Sequence, residues 1–182
     1  MRSTHLLATL IALILVFFPI SLSATQPRLT VVVVVDGMTQ DNLTKLRPYW
    51  SAGGLRTMSE EAFQTTVAFP HIVNGGQETT ATLMTGTTPS RHGMMSDQTF
   101  NRTYRTINYT LFDDQSSGIG TSLQLSPRAI ATSTITDEWR IQQGTKAKIY
   151  AIGLQPQATI LMAGHAANAC CWLDPSSLKW AT

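Results

Sequence analysis

A near-continuous β-branched run, Leu29 to Val35, breaks off at Asp36-Gly37. Side chains branched at Cβ are stiff in helices and pack well on a pleated surface. An apolar run without polar alternation suits a central parallel strand covered on both faces. A carboxylate at the C-terminal end of such a strand stands where open α/β sheets place their ligands. Asp36 is therefore a candidate ligand-binding residue; the alternative is a turn residue or helix N-cap without a chemical role.

The pattern downstream alternates. Asp41 to Leu55 reads as a helix closed at Gly53-Gly54, and Ala62 to Phe69 as a shorter strand. Asn74-Gly75-Gly76 marks a turn before a short helix, Glu78 to Thr85, which stops at Gly86. Gln98 to Leu125 is polar and turn-rich and reads as strand fragments with a surface excursion. Ser126-Pro127 opens a helix expected to run to Gln143 and close at Gly144. Ala147 to Gly153 is the next strand, and Ala158 to Ala163 a further apolar stretch ended by Gly164-His165. Strands alternating with helices predict an α/β fold, a mainly parallel sheet sandwiched by helices. The chain stops at Lys179-Trp180-Ala181-Thr182 in a strand-like stretch with no closing helix or turn, so truncation of a longer protein is expected.

The first two dozen residues form a separate object. Arg2 and His5 precede an apolar run from Leu6 to Pro19, and small residues follow at Ser21, Ser23 and Ala24. This is the layout of a secretory signal, and the run is short for a membrane span of about 20 residues. The domain division expected is a signal over 1–24 and one domain portion over 25–182, with the mature chain periplasmic or secreted and free of the membrane. Only 13% of the 182 residues are charged, the net charge is +2, and no basic block occurs. Nucleic acid is excluded as a partner on that ground. Cys170 and Cys171 are adjacent, a spacing that strains a disulfide, and read as small half-buried hydrophobes.

More specific words carry the reading further. VVVVVDG, Val31 to Gly37, is followed by ATLMTGTTPSRHGM, Ala81 to Met94, then by Ser126-Pro127-Arg128 and by ILMAGHAANACCWLD, Ile160 to Asp174. Together they resemble the alkaline-phosphatase superfamily, in particular its periplasmic phosphate monoesterases and type I phosphodiesterase-like enzymes with a Thr nucleophile. The resemblance covers essentially all residues after the signal. It implies a phosphate-ester substrate and two Zn2+ ions that activate the nucleophile and neutralise charge on the attacking and leaving oxygens. It also implies that Asp36 binds metal, and that the other metal ligands lie in a later half that this chain does not reach.

The resemblance also exposes four departures. The nucleophile slot, counted back without gaps from Thr85-Gly86, is Gly76, which has no hydroxyl. Thr79 stands three residues on, roughly 4.5 Å along a helix, and is either a shifted nucleophile or an ordinary first-turn residue. The slot of an Asn that donates to a phosphate oxygen holds Asp97, which as a carboxylate offers no donor. The slots of a phosphate-clamping Lys and Arg hold Gln155 and Gln157, which carry no charge. Among the histidines, His92 and His165 read as structural hydrogen-bonders more readily than as ligands, and His71 has no evident role. Three readings follow: an exported, catalytically impaired member acting as a binding or scaffold protein; an active metal-dependent monoesterase or diesterase using Thr79; or a non-functional fragment of a longer gene.

Overall fold

A computed structural model describes residues 27–72 and 76–182 of the chain. The expected signal, 1–24, lies outside the described residues, as do Asn74 and Gly75 of the expected turn. The chain divides into two compact units after Thr65.

In the first unit the Leu29–Val35 run joins no ladder among the described residues. The expectation of a buried central strand is corrected here. Val31 and Val33 are 70% and 69% exposed. A strand exists only through its neighbours' hydrogen bonds, and β-branched composition cannot supply them. The helix expected over Asp41 to Leu55 is two helices. Helix α1, Gln40–Leu46, starts where Thr39 Oγ1 accepts from the Asn42 N–H at 3.2 Å. It gives way to a 3-10 turn at Arg47–Tyr49 that carries Pro48, which has no N–H to continue the ladder. Helix α2, Leu55–Glu61, begins after Gly53-Gly54. Ala62 to Phe69 forms no strand, so that expectation is also corrected.

The second unit holds the core. Helix α3, Gln77–Thr85, ends at Gly86 in the left-handed conformation, and the short helix α4, Pro89–His92, follows. Strands β1, Gln98–Asn101, and β2, Thr106–Tyr109, pair as an antiparallel hairpin. Ser126 caps only a 3-10 turn, Pro127–Ala129. The helix expected from there starts afresh as α5, Ile135–Gln143, where Thr134 and Asp137 form a reciprocal capping box.

Strand β3, Tyr150–Gly153, leads into helix α6, Pro156–Ala163, and then into β4, Ala169–Leu173, parallel to β3 with Ala151 opposite Cys170. This βαβ unit is the parallel heart of the α/β fold. Strand β5, Trp180–Ala181, adds to the other side of β4 in the antiparallel sense. Helix α6 packs on β3 and β4, and α3 packs on α6. Leu111, Leu161 and Ala81 are fully buried and join Met94, Ile160 and Trp172 in one cluster. Truncating a buried leucine of this kind costs about 2–5 kcal/mol. The start of α3 and the start of α6 are thereby held side by side.

Candidate functional site: a cleft at the starts of two helices

Gly76 precedes α3 with φ +91° and ψ −143°, a conformation that residues with a Cβ rarely adopt. Neither Gly76 nor any other neighbour caps the helix through its own side chain. The cap comes from 20 residues on: Asp97 Oδ1 accepts from the Gln77 N–H at 2.8 Å. A carboxylate at this place is favoured by the unpaired N–H groups and the positive end of the helix dipole. The same carboxylate fills the space a Cβ at position 76 would need, with Cγ at 3.0 Å and Oδ2 at 3.1 Å from the ideal Cβ position. Positions 76 and 97 thus form one interlocked arrangement.

Gln157 is 4% exposed and both ends of its amide are used. Its Nε2 donates to the Asp97 carbonyl at 3.0 Å, and its Oε1 accepts from the Leu111 N–H at 3.1 Å. It joins the start of α6 to the chain on either side of the hairpin. Gln155 is exposed and precedes α6; its carbonyl accepts from the N–H and hydroxyl of Thr159 at 3.0 and 2.6 Å. A cleft of about 690 Å³ opens here, lined by Gln77, Glu78, Asp97, Tyr109, Gln155 and Gln157 among others. Gly76, Asp97, Gln155 and Gln157 therefore come together, although they are far apart in sequence.

Thr79 is not among the residues that line the cleft. At about 100° per residue it is turned about 200° from Gln77 around the helix. Its Oγ1 is buried without a hydrogen-bond partner among the described residues. Asp36 belongs to the first unit, where it is exposed and its Oδ1 accepts from the Gly37 N–H at 2.8 Å. Among the described residues no three His, Cys, Asp or Glu side chains stand together as metal ligands would. Zinc sites take three or four protein ligands, so the residues present do not fit a dizinc centre.

His92 and His165 are held structurally. His92 is fully buried; its Nδ1 accepts from the Met94 N–H at 3.1 Å, which leaves Nε2–H to donate to Thr82 Oγ1 at 3.0 Å. Burial pushes its pKa below the ordinary value, nearby His71 adds to that, and Glu78 partly opposes it. His165 Nδ1 lies 2.8 Å from Asp137 Oδ2, and its Nε2 lies 3.2 Å from the Ile130 carbonyl. Burial alone would raise Asp137, but hydrogen bonds from His165 and Thr134 outweigh it and hold the carboxyl below the usual carboxylate value. Gly164, φ +72°, approaches so closely that a Cβ would strike Thr134 and Asp137. Asn168 Oδ1 accepts from the Ile149 N–H at 2.8 Å and from Arg140 Nη2 at 2.6 Å. These contacts give Gly164, His165 and Asn168 structural roles. A hollow of about 390 Å³ lies beside this pair, lined by Ile130, Thr132, Asp137, Arg140 and His165; Asp137 and His165 are engaged with each other, Arg140 with the Ala147 carbonyl, and Thr132 Oγ1 has no hydrogen-bond partner among the described residues.

Residues 30–181 match the type I phosphodiesterase / nucleotide pyrophosphatase family. The chain belongs to that family, within the alkaline-phosphatase superfamily. Curated relatives include a protein named calcium-transporting ATPase from Myroides odoratus, 27% identical over 96% of this chain and 33% of its own length. Alkaline phosphatase PafA of Elizabethkingia meningoseptica is 26% identical over 86% of this chain and 30% of its own length. The solved structure of a four-fold PafA variant superposes with a TM-score of 0.72 at 25% identity, over 82% of this chain and 30% of that one. Wild-type PafA superposes over 59% of this chain and 21% of its own with a TM-score of 0.54 at 26% identity. The chain spans about a third of the length of the curated relatives it matches.

Sequence reasoning missed the interlock of Gly76 with Asp97, the two-ended engagement of Gln157, and the Asp137–His165 pair. Only the last had a local signal: Thr134-x-x-Asp137 is a capping-box spacing. The first two depend on contacts across 20 to 60 residues.

Proposed function

We propose that this chain is the N-terminal part of an exported member of the family that has lost phosphate-ester turnover at this cleft and serves as a binding or scaffold protein. One observation carries the reading: a carboxylate, Asp97, caps α3 and occupies the space of the nucleophile's side chain beside Gly76. A phosphate dianion brought to that helix start would meet a negative charge where the dipole has already been satisfied. Gly76 itself has no hydroxyl to attack phosphorus, and Gln157 is committed to backbone groups.

The substitutions of the solved PafA variant support the slot assignment. They replace a threonine and an asparagine 21 residues apart, and a lysine and an arginine two apart. Gly76 and Asp97 are also 21 apart in this chain, and Gln155 and Gln157 two apart. Asp36 as a metal ligand, zinc as the metal, and export through residues 1–24 belong to the same proposal. No helix of the described residues is long and apolar enough to cross a membrane.

The second reading, an active hydrolase using Thr79, has one observation in its favour, the unpartnered Thr79 hydroxyl. The two separate in one assay. The full-length protein supplied with zinc is expected to turn over an aryl phosphate no faster than a zinc blank. Brisk turnover silenced by Thr79→Ala would overturn the impaired reading in favour of the shifted nucleophile. Export is tested by the mature N-terminus of secreted material, expected near Ala24 or Thr25.

A further inference from the structure

The sheet of β3, β4 and β5 is covered on one face only. On that face Ala151 is buried, Trp172 and Ala181 share a core cluster with Ile160 and Leu161 of α6, and Cys170 packs against the same cluster. Alternation along each strand turns Tyr150, Ile152, Ala169, Cys171, Leu173 and Trp180 to the opposite face. The register sets them side by side: Tyr150 opposite Ala169, Ile152 opposite Cys171, and Leu173 opposite Trp180. None of the six is charged. Tyr150, Ile152 and Trp180 are 66%, 72% and 61% exposed.

Parallel strands occur almost only in sheets covered on both faces. Strands β3 and β4 are a parallel pair with one face bare. A contiguous apolar patch of this kind marks an interface. Chain length indicates what lies on it. The relatives that carry this portion of the fold are about three times as long, and the superposed PafA variant holds the matching portion in 30% of its chain. Helices are the usual second layer on such a sheet. A helix from the same polypeptide is present at an effective concentration that a free molecule rarely reaches. We propose that the bare face of β3, β4 and β5 is an internal interface, which receives the apolar side of a helix from the part of the full-length protein outside these residues. This rests on the reading of the chain as the N-terminal part of a longer protein, and it names the surface by which that part is held.

Cys171 reports on the bare face, and Cys170 on the covered face is its control. The Cys170 thiol is pushed up to about 12, first by burial and then by neighbouring Cys171. The test is alkylation by N-ethylmaleimide, read by tandem mass spectrometry, in the 182-residue chain and in the full-length protein. Thiol reactivity follows exposure and thiolate character, so Cys171 should react about ten-fold faster than Cys170 in the 182-residue chain and slow by about ten-fold in the full-length protein. Ile152→Asp should leave the urea midpoint of the shorter chain unchanged, because the side chain is exposed there, and lower that of the full-length protein. Ile152→Ala, with the same expected direction, serves if Ile152→Asp does not fold at full length. Cys171 equally reactive at both lengths, Cys171 as slow as Cys170 in the dilute shorter chain, or equal responses of the two lengths to the Ile152 substitutions would each overturn the proposal. Protection in the full-length protein that disappears on dilution would overturn it too, by assigning the face to a second copy. A natural protein no longer than these residues would overturn the N-terminal-part reading itself; a longer protein with a reactive Cys171 would overturn the interface alone.

Discussion

Asp97 and Gly76 are fitted to each other: the aspartate carboxylate caps the helix that Gly76 opens, in the space that any side chain at position 76 would claim. Gly76→Ala is expected to lose stability on two counts. The positive φ costs about 1–3 kcal/mol for a residue with a Cβ, and the new methyl group displaces the Asp97 carboxylate and so uncaps α3. Urea denaturation of Gly76→Ala, Asp97→Ala and the double variant checks this. The double variant should lose less than the sum of the singles, because the clash disappears with the aspartate while the backbone strain remains. Strict additivity would show that the two residues do not act as a pair. Grafting a threonine into position 76 alone is for the same reason no route back to a nucleophile.

Gln157 and Gln155 should behave oppositely although they stand two residues apart at the start of α6. Gln157→Leu leaves the Leu111 N–H without its partner, and an unsatisfied buried donor costs about 1–3 kcal/mol. Gln157→Arg should cost at least as much, since guanidinium offers no acceptor. Gln155→Ala, at an exposed side chain, should stay within about 0.5 kcal/mol of the parent. Denaturant midpoints at equal slope are the measurement.

Much of this was legible in sequence, and what was not shares one cause. Gly86 and Gly144 announced two helix ends, because a C-terminal left-handed residue is a local need. The apolar pattern around Ala147 to Gly153 announced β3 for the same reason. The hairpin of β1 and β2 was visible only as a turn-rich region, and the Leu29–Val35 run announced a ladder it does not form among the described residues. Pairing is decided by a partner strand, and a single strand's composition does not name that partner. Gly76, Asp97, Gln155 and Gln157 stood out in the sequence one by one. Their consequence was hidden, because the hydrogen bonds that recommit Asp97 and Gln157 reach across 20 to 60 positions.

The buried imidazole of His92 makes stability depend on pH. Its pKa lies below 6.5 in the folded chain, so the unfolded chain takes up the proton first. The stabilisation is therefore present in full above about pH 6.5 and is lost as pH falls below that toward the folded value, by at most about 1.4 kcal/mol per pH unit for one group. The urea midpoint should fall between pH 7.5 and pH 5.5. In His92→Gln, whose amide can accept from Met94 and donate to Thr82, the decline should be shallower. An equal decline in both proteins would assign the effect to other groups.

Zinc should not bind tightly to these 182 residues. Asp36 is one exposed carboxylate, and no three candidate ligands cluster among the described residues. Calorimetric titration of the chain and of Asp36→Ala should give the same weak heats. Stoichiometric binding lost in the variant would show that the residues present assemble a metal site after all.

The exposed run from Val31 to Val35 has a consequence for handling the molecule. Five uncharged β-branched residues with free edges are the composition from which cross-β stacking grows. Arg28 on one side and Asp36 on the other are the charges that interrupt it, the placement by which aggregation-prone segments are kept soluble. The aspartate at the end of the run thus guards the chain against its own copies, whatever else it binds. Replacing Asp36 with valine would lengthen the run and remove one guard, and the chain's first response would be fibril growth, visible as thioflavin fluorescence and sediment.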